Sequence, residues 1–304
     1  MIAILLKAFG FMLVIGLGYY LKMMGIVEKK DVKIFSTIVM NVTLPCALLA
    51  SASEVKLSGL LLIPLLLGFA SNLLMDAIGY WEARKGSIVE KGAGMVQISG
   101  FNIGTFSLPF IQTFFPASYL TSVLLFDTGN ALMVLGGNYT LAASLNHEKE
   151  PMMLKMIGKN LFSSLPFKVY LGTLLLAAFH ISIPQEILSI TNIAGNANPF
   201  LAMLMLGMMV DVEVNWKDCK RLMKLLAIRV TMALGLGVAF YFLLPIPLDM
   251  RQMLIICVAS PISVVAPVYV MQLDGNASEA ANLNSLSILV SLLVMTALMV
   301  LFRV

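Results

Sequence analysis

Three charged residues fall well inside apolar stretches of this 304-residue sequence: Asp76, Asp127 and Arg229. Placing such a group at the centre of a bilayer costs at least about 2.5–3.5 kcal/mol, so each needs a partner or a task. Asp127 stands about 12 Å into its apolar stretch if that stretch is helical, with Asn130 one turn further on the same face. A carboxylate at that depth could take up a proton or a sodium ion for coupling; the structural alternative is a carboxylate satisfied by neighbouring hydroxyls. Asp76 and Arg229 both fall near one edge of the apolar layer. The expectation is an ion pair between them, the alternative being two charges that snorkel separately.

A second set of residues is polar but uncharged. The run Gly100-Phe-Asn102-Ile-Gly104-Thr105-Phe-Ser107-Leu-Pro109 packs two glycines, an amide, two hydroxyls and a proline into ten residues. Ser260-Pro261-Ile-Ser263-Val-Val-Ala-Pro267 repeats the theme, as do Asn41-Val-Thr43-Leu-Pro45 and Asn196-Ala-Asn198-Pro199. Proline within a helix removes a backbone donor and clashes with a carbonyl one turn back. In lipid the freed backbone groups must face protein or a water-filled cavity. Such runs therefore predict interrupted helices beside a passage, with the partial charges of half-helix ends turned toward a ligand. The candidate ligand-binding set is Asn41, Asn102, Thr105, Pro109, Asn130, Ser260, Pro261 and Ser263.

Other chemistries fit poorly. Asp127-Thr128-Gly129 matches the core of an aspartic-protease motif, but it occurs once, and that mechanism needs two carboxylates. His147-Glu148 opens like a zinc motif and then meets Pro151 without a second histidine. Cys46, Cys219 and Cys257 are odd in number and far apart, which signals neither disulfides nor zinc and reads as buried small residues. Gly16-Leu-Gly18 and Gly235-Leu-Gly237 read as close helix packing rather than nucleotide fingerprints. No enzyme activity, cofactor, metal or nucleic-acid partner is expected. A channel filter or charged ring is also missing from the pattern.

These residues need elements to hold them, and the composition says which. Apolar residues make up 60% of the chain and charged residues 12%, against roughly 45–50% and 25% in soluble domains. That surface suits lipid. Hydrocarbon about 30 Å thick takes about 20 apolar residues per helix, and ten such spans can be marked: Ile2–Tyr20, Ile34–Ala52, Leu57–Tyr80, Met95–Phe115, Tyr119–Ala143, Pro166–Ile183, Ile187–Val210, Leu222–Leu244, Met253–Leu273 and Ala280–Phe302. The first is read as a retained helix, since no small-x-small cleavage site follows it. With this count, fifteen of the lysines and arginines fall in loops on one side, against Lys56, Arg251 and Arg303 on the other. The positive-inside rule then puts both termini outside the cytoplasm of the cell membrane.

The polar interval Asn146–Leu165 divides the spans five and five, so the second half enters the bilayer in the opposite sense. The predicted organisation is a first five-helix repeat over 1–145, a cytoplasmic linker over 146–165 and a second, inverted five-helix repeat over 166–304. Pro45 with Pro199, and Pro109 with Pro261, are separated by nearly equal intervals, as duplicated halves would require.

At this point the sequence resembles the auxin efflux carrier family, which includes plant auxin exporters and bacterial malonate and malate carriers and shares its superfamily with the bile acid:sodium symporters. The resemblance rests on Thr43-Leu-Pro45-Cys-Ala-Leu-Leu49, on Asn102 followed by Pro109, on Pro199 through Gly207, on Pro261, and on Ser285, Ser287 and Ser291. It covers essentially the whole chain in order. It implies an all-α integral membrane fold of ten helices in two inverted repeats, helices 4 and 9 broken and crossing at the substrate site. It also implies a small organic anion as substrate, alternating access of a transport domain against a scaffold, and dimerisation through the scaffold. Two positions depart from the family: Val265 stands where an asparagine is frequent, and Ser107 where a glycine is usual. A symporter of the bile-acid type would need sodium ligands near the crossing, for which Gln97, Gln272, Asn282 and Asn284 are the candidates.

Overall fold

A computed structural model describes residues 2–28, 30–50, 60, 62–115, 119–146, 154–179, 181–210 and 219–302. Lys29, Lys56, His180, Lys217 and Arg303, and residues 147–153 of the 146–165 linker, among them His147, Glu148 and Lys149, lie outside the described residues. The described fold is all-helical. Its helices are α1 (Ile2–Met23), α2 (Val32–Ile38), α3 (Leu44–Ala50), α4 (Leu62–Glu82), α5 (Ile88–Ile98), α6 (Leu108–Phe114), α7 (Leu120–Leu132) and α8 (Asn138–Ala143). They continue as α9 (Leu154–Ser163), α10 (Leu165–Ala178), α11 (Gln185–Gly195), α12 (Asn198–Met209), α13 (Cys219–Leu243), α14 (Leu248–Val258), α15 (Ala266–Gln272) and α16 (Ala277–Phe302). Short π-helical turns over Val39–Thr43, Ile103–Ser107 and Met133–Gly137 precede α3, α6 and α8.

Among the described helical stretches, five are long and apolar enough to cross a bilayer: Val32–Ala50, Leu62–Glu82, Leu120–Ala143, Cys219–Leu243 and Ala277–Phe302. Their outward faces carry Leu62, Leu66, Phe242, Leu243 and Leu293, all exposed. A surface of this kind suits a multi-pass membrane protein, because lipid accepts side chains that water does not.

Helices pair closely where glycine removes the side chain between two backbones. A Cβ on Gly18 would lie 2.1 Å from the Leu204 carbonyl oxygen, and one on Gly207 would lie 1.9 Å from that of Ile15. This reciprocal contact presses α1 onto α12. The same pairing, Gly68 against Phe126 and Gly129 against Leu65, presses α4 onto α7. Of the glycine pairs singled out in the sequence, Gly18 and Gly237 meet a neighbouring helix, while Gly16 and Gly235 have open space.

Two apolar stretches are interrupted in mid-course. The first runs as α5, an extended break over 99–102, and then a π turn leading into α6. The second runs as α14, a non-helical stretch over 259–265, and α15. Both start earlier than the apolar pattern predicts, at Ile88 and Leu248 rather than Met95 and Met253. The reason is local. Ser87 accepts from the Glu90 backbone N–H while the Glu90 side chain accepts from the Ser87 N–H, a capping box that starts a helix through polar residues. Pro247 caps α14 and leads into its polar first turn. Part of the 146–165 interval is helical as well, as α9. Ion pairs fix α13 at one end, Lys224 with Glu82 of α4 (2.7 Å) and Arg221 with Glu279 of α16 (3.2 Å).

Candidate functional site

The two interruptions meet. The backbone N–H of Asn102 donates to the Pro261 carbonyl oxygen at 2.9 Å, joining the first break directly to the second. Gly100 allows the approach. Its φ of +76° lies in the left-handed region, and a Cβ there would come within 3.0 Å of the Ser263 Cβ. The Ser107 hydroxyl, at the end of the π turn before α6, bonds to that of Ser260.

An open break leaves backbone groups that need partners in a dry interior. At the first break they are supplied by amides from two helices, with a third amide behind them. Asn130 of α7 accepts from the Phe101 N–H (3.1 Å) and donates to the Phe101 carbonyl (2.8 Å). Asn72 of α4 accepts from the Gly100 N–H (2.9 Å) and donates to Asn130 (3.1 Å). Asn138 of α8 donates to Asn72 (3.3 Å). At the second break the partners of Ile262 and Ser263 come from one helix: Asn284 of α16 donates to the Ile262 and Ser263 carbonyls (2.8 and 3.1 Å), and the Ser287 hydroxyl accepts from the Ile262 N–H (3.0 Å).

Arg229 of α13 serves both. Its guanidinium donates to the Ile98 and Gly100 carbonyls at the end of α5 (2.5 and 2.9 Å) and to the Ser260 carbonyl after α14 (3.3 Å). It also stacks over the Phe101 ring, 4.3 Å from its centroid. Carbonyls gathered at helix C-termini carry partial negative charge, so a cation there is favourable. The anticipated Asp76–Arg229 ion pair is therefore not formed. Arg229, 2% exposed, is held by carbonyls, and the carboxylate oxygens of Asp76 are buried without a hydrogen-bond partner. The geometric reason is that the break brings α5 and α14 C-terminal carbonyls closer to the guanidinium than α4 brings its carboxylate.

Beside the first break lies a small cavity of about 70 Å³, walled by α2–α3, α6, α7 and the start of α10. Gly104, Asp127, Thr128 and Tyr170 contribute to its lining along with Leu44, Leu108 and Leu124. Asp127 accepts from the Asn130 amide (3.0 Å), the same amide that holds Phe101. A change at the carboxylate thus reaches the break through one side chain. Asn102 is 6% exposed. Its side-chain oxygen accepts from the Thr105 hydroxyl (2.5 Å), and its Nδ2 has no partner.

Of the candidate ligand-binding residues, Asn102, Thr105, Asn130, Ser260, Pro261 and Ser263 lie in the two breaks or bond to them. Asn41 does not: its side chain is exposed and donates back to the Thr37 carbonyl (3.0 Å), while Met40 and Leu44 face the cavity instead. Pro109 sits one turn past the break, at the start of α6. Of the candidate sodium ligands, Gln97 donates to Glu279 (3.2 Å), Asn284 holds the second break, Asn282 is buried on α16 and Gln272 is exposed. Among the described residues no group of three or more His, Cys, Asp or Glu side chains could hold a metal ion. The three cysteines are free, and only Cys257 is buried. Asn72 and Asn138 were not singled out in the sequence; the available signal was an amide within an otherwise apolar run.

No family model matches the chain. An uncharacterized transporter of Methanothermobacter thermautotrophicus is 30% identical over 121 residues, 38% of this chain. The chain covers 40% of that relative's length.

Proposed function

We propose that this protein is a secondary transporter that carries a small organic anion across the cell membrane by alternating access. In this reading the chain crosses ten times, as two inverted five-helix repeats joined by the 146–165 linker, with both termini outside the cytoplasm. A homodimer in the bilayer is part of the same proposal. The observation that carries it is the hydrogen bond from Asn102 to Pro261 between two broken, buried segments. Two interruptions at one point inside an apolar fold cost backbone hydrogen bonds and are tolerated where they line a passage. The partial match to a protein named as a transporter agrees with the class.

Neutral donors at the start of the π turn and α6, chiefly the unpartnered Nδ2 of Asn102, would hold a carboxylate. Asp127 is the proposed coupling group, for a proton or a sodium ion, linked to the site through Asn130. Binding there would shift Asn130 and so the break it holds. The test is a thermal-shift screen of purified protein against small carboxylic acids, with and without sodium and across pH, followed by uptake of the best ligand into proteoliposomes. Asn102→Ala is expected to abolish uptake while leaving expression and melting temperature near wild type. Wild-type uptake by that variant would move the site away from the crossing.

A further inference from the structure

A second cavity, of about 250 Å³, lies at the opposite end of the same interface. Along α3 the Asp127 cavity touches Leu44 and Leu48, with Met40 of the preceding π turn, whereas this one touches Ala47 and Ala50. Along α6 the two meet Leu108 and Gln112 respectively, and along α7 Leu124 and Leu120. About one helical turn separates them along α6 and α7, while on α3 they lie on different sides of the helix. Leu48, Leu108 and Leu124 between them are apolar and buried.

The second cavity differs from the first in its chemistry. Three amides line it: Gln112 of α6, Asn192 of α11 and Asn196 at the C-cap of that helix, one turn on. Among the described lining residues there is neither a carboxylate nor a basic side chain. Gln112 is held in one orientation by a buried relay. The Thr43 hydroxyl donates to the Asn198 side-chain oxygen (2.9 Å), and the Asn198 Nδ2 donates to the Gln112 Oε1 (3.0 Å). The acceptor end of Gln112 is thus occupied, and its Nε2 donor is buried without a partner. An unpaired donor in a buried position is costly unless a ligand completes it. With its oxygen taken by Asn198, Gln112 can offer a ligand only its Nε2 donor.

From this we infer that the second cavity is a subsite for a carboxylate, in which the Gln112 Nε2 binds the anion and Asn192 and Asn196 complete its shell. Asn198 and Thr43 are positioning residues that set which end of Gln112 faces the ligand. The volume exceeds a single water's share of about 30 Å³ severalfold, enough for one small acid. The inference rests on the reading of the protein as an organic-anion transporter. In that frame the subsite holds the ligand on the far side of these leucines from Asp127, before entry or after release.

The test uses the full chain in proteoliposomes, with Cys46, Cys219 and Cys257 replaced by alanine and a reporter thiol introduced as Ala50→Cys on the cavity wall. The rate of labelling by a membrane-impermeant thiol reagent is measured with acetate, malonate and malate as probes. At least one probe is expected to slow labelling several-fold. Gln112→Leu and Gln112→Glu are each expected to weaken that protection by about tenfold or more, in probe concentration for half effect. Thr43→Val is expected to weaken it less. Asn41→Cys, exposed and outside both cavities, is expected to label at a rate no probe changes. Protection that survives Gln112→Leu overturns the assignment. So does absence of protection in a preparation that takes up one of the probes, in which case the transporter reading stands alone. Absence of both protection and uptake, for all three probes, removes that reading and this one together.

Discussion

The two breaks are chemically alike and structurally unlike. Each exposes backbone groups where a helix stops in an apolar interior, and each gives a carbonyl to Arg229. The backbone of the first is held by Asn72 of α4 and Asn130 of α7, Asn138 of α8 bonding to Asn72, and Asn130 also binds Asp127. In the second, Ile262 and Ser263 are held by Asn284 and Ser287, both on α16, while Ser260 and Pro261 meet Arg229 and Asn102. A break held by several elements moves when any of them shifts. A break held by one helix moves with that helix as a body. If the protein transports as proposed, the first break, tied to Asp127 through Asn130, is expected to respond more than the second, with Arg229 bonded to both.

The largest expected effect comes from removing what they share. Arg229→Met leaves the Ile98, Gly100 and Ser260 carbonyls without their donor, in a region where each unsatisfied group costs about 1–3 kcal/mol. A loss of 3 kcal/mol or more in total would lower the melting temperature by roughly 6–12 °C, at about 2–4 °C per kcal/mol. Thermal denaturation in detergent, followed by the monodisperse peak on size exclusion, measures it. Arg229→Lys should recover part of the loss, because one ammonium is a compact donor group and lacks the planar fork that spans both breaks. A melting temperature unchanged in Arg229→Met would mean that the two breaks do not depend on a common cation.

The intermediate effect separates the breaks. Asn130→Ala and Asn284→Ala each strip partners from buried backbone groups, so both should lower stability by about 2 kcal/mol. They should differ in transport. Asn130→Ala also releases Asp127 and is expected to cut flux by about tenfold or more in proteoliposomes, whereas Asn284→Ala is expected to stay within about threefold of wild type. Equal losses of flux would erase the distinction between a more and a less responsive break.

Much of this was legible in the sequence, and the rest was hidden for physical reasons. Small polar residues around Asn102 and Ser260 mark the interrupted regions, since they are poor material for a lipid-facing helix. The break itself is harder to place. Pro261 lies within its non-helical stretch, but Pro109 sits where α6 begins, because proline is tolerated in a first helical turn. The Asp76–Arg229 pair was a natural expectation from two charges at one depth, and it fails because backbone carbonyls, which no sequence pattern displays, compete for the guanidinium. Hydropathy sets the starts of α5 and α14 too late, since it registers the apolar centre of a helix and not its polar first turn. Gln112 carries no sequence signal for a similar reason: its orientation depends on Asn198 and Thr43, which are remote in sequence.

The smallest effect is the sharpest check on the second break. Ser287 bonds twice, accepting from the Ile262 N–H and donating to the carbonyl of Asn284 within its own helix (2.7 Å). Ser287→Ala removes one acceptor from a buried N–H and leaves the α16 backbone intact, since α16 keeps its own helical hydrogen bonds. The cost should be about 1 kcal/mol, near the low end for a neutral hydrogen bond, or a fall of roughly 2–4 °C in melting temperature. Flux should not change, because Asn284 still fixes the Ile262 and Ser263 carbonyls, and the Asn102–Pro261 contact sits one residue earlier. If so small a deletion on α16 altered flux as strongly as Asn130→Ala, the second break would be a moving part, and both halves of the crossing would have to shift together when Asp127 changes state.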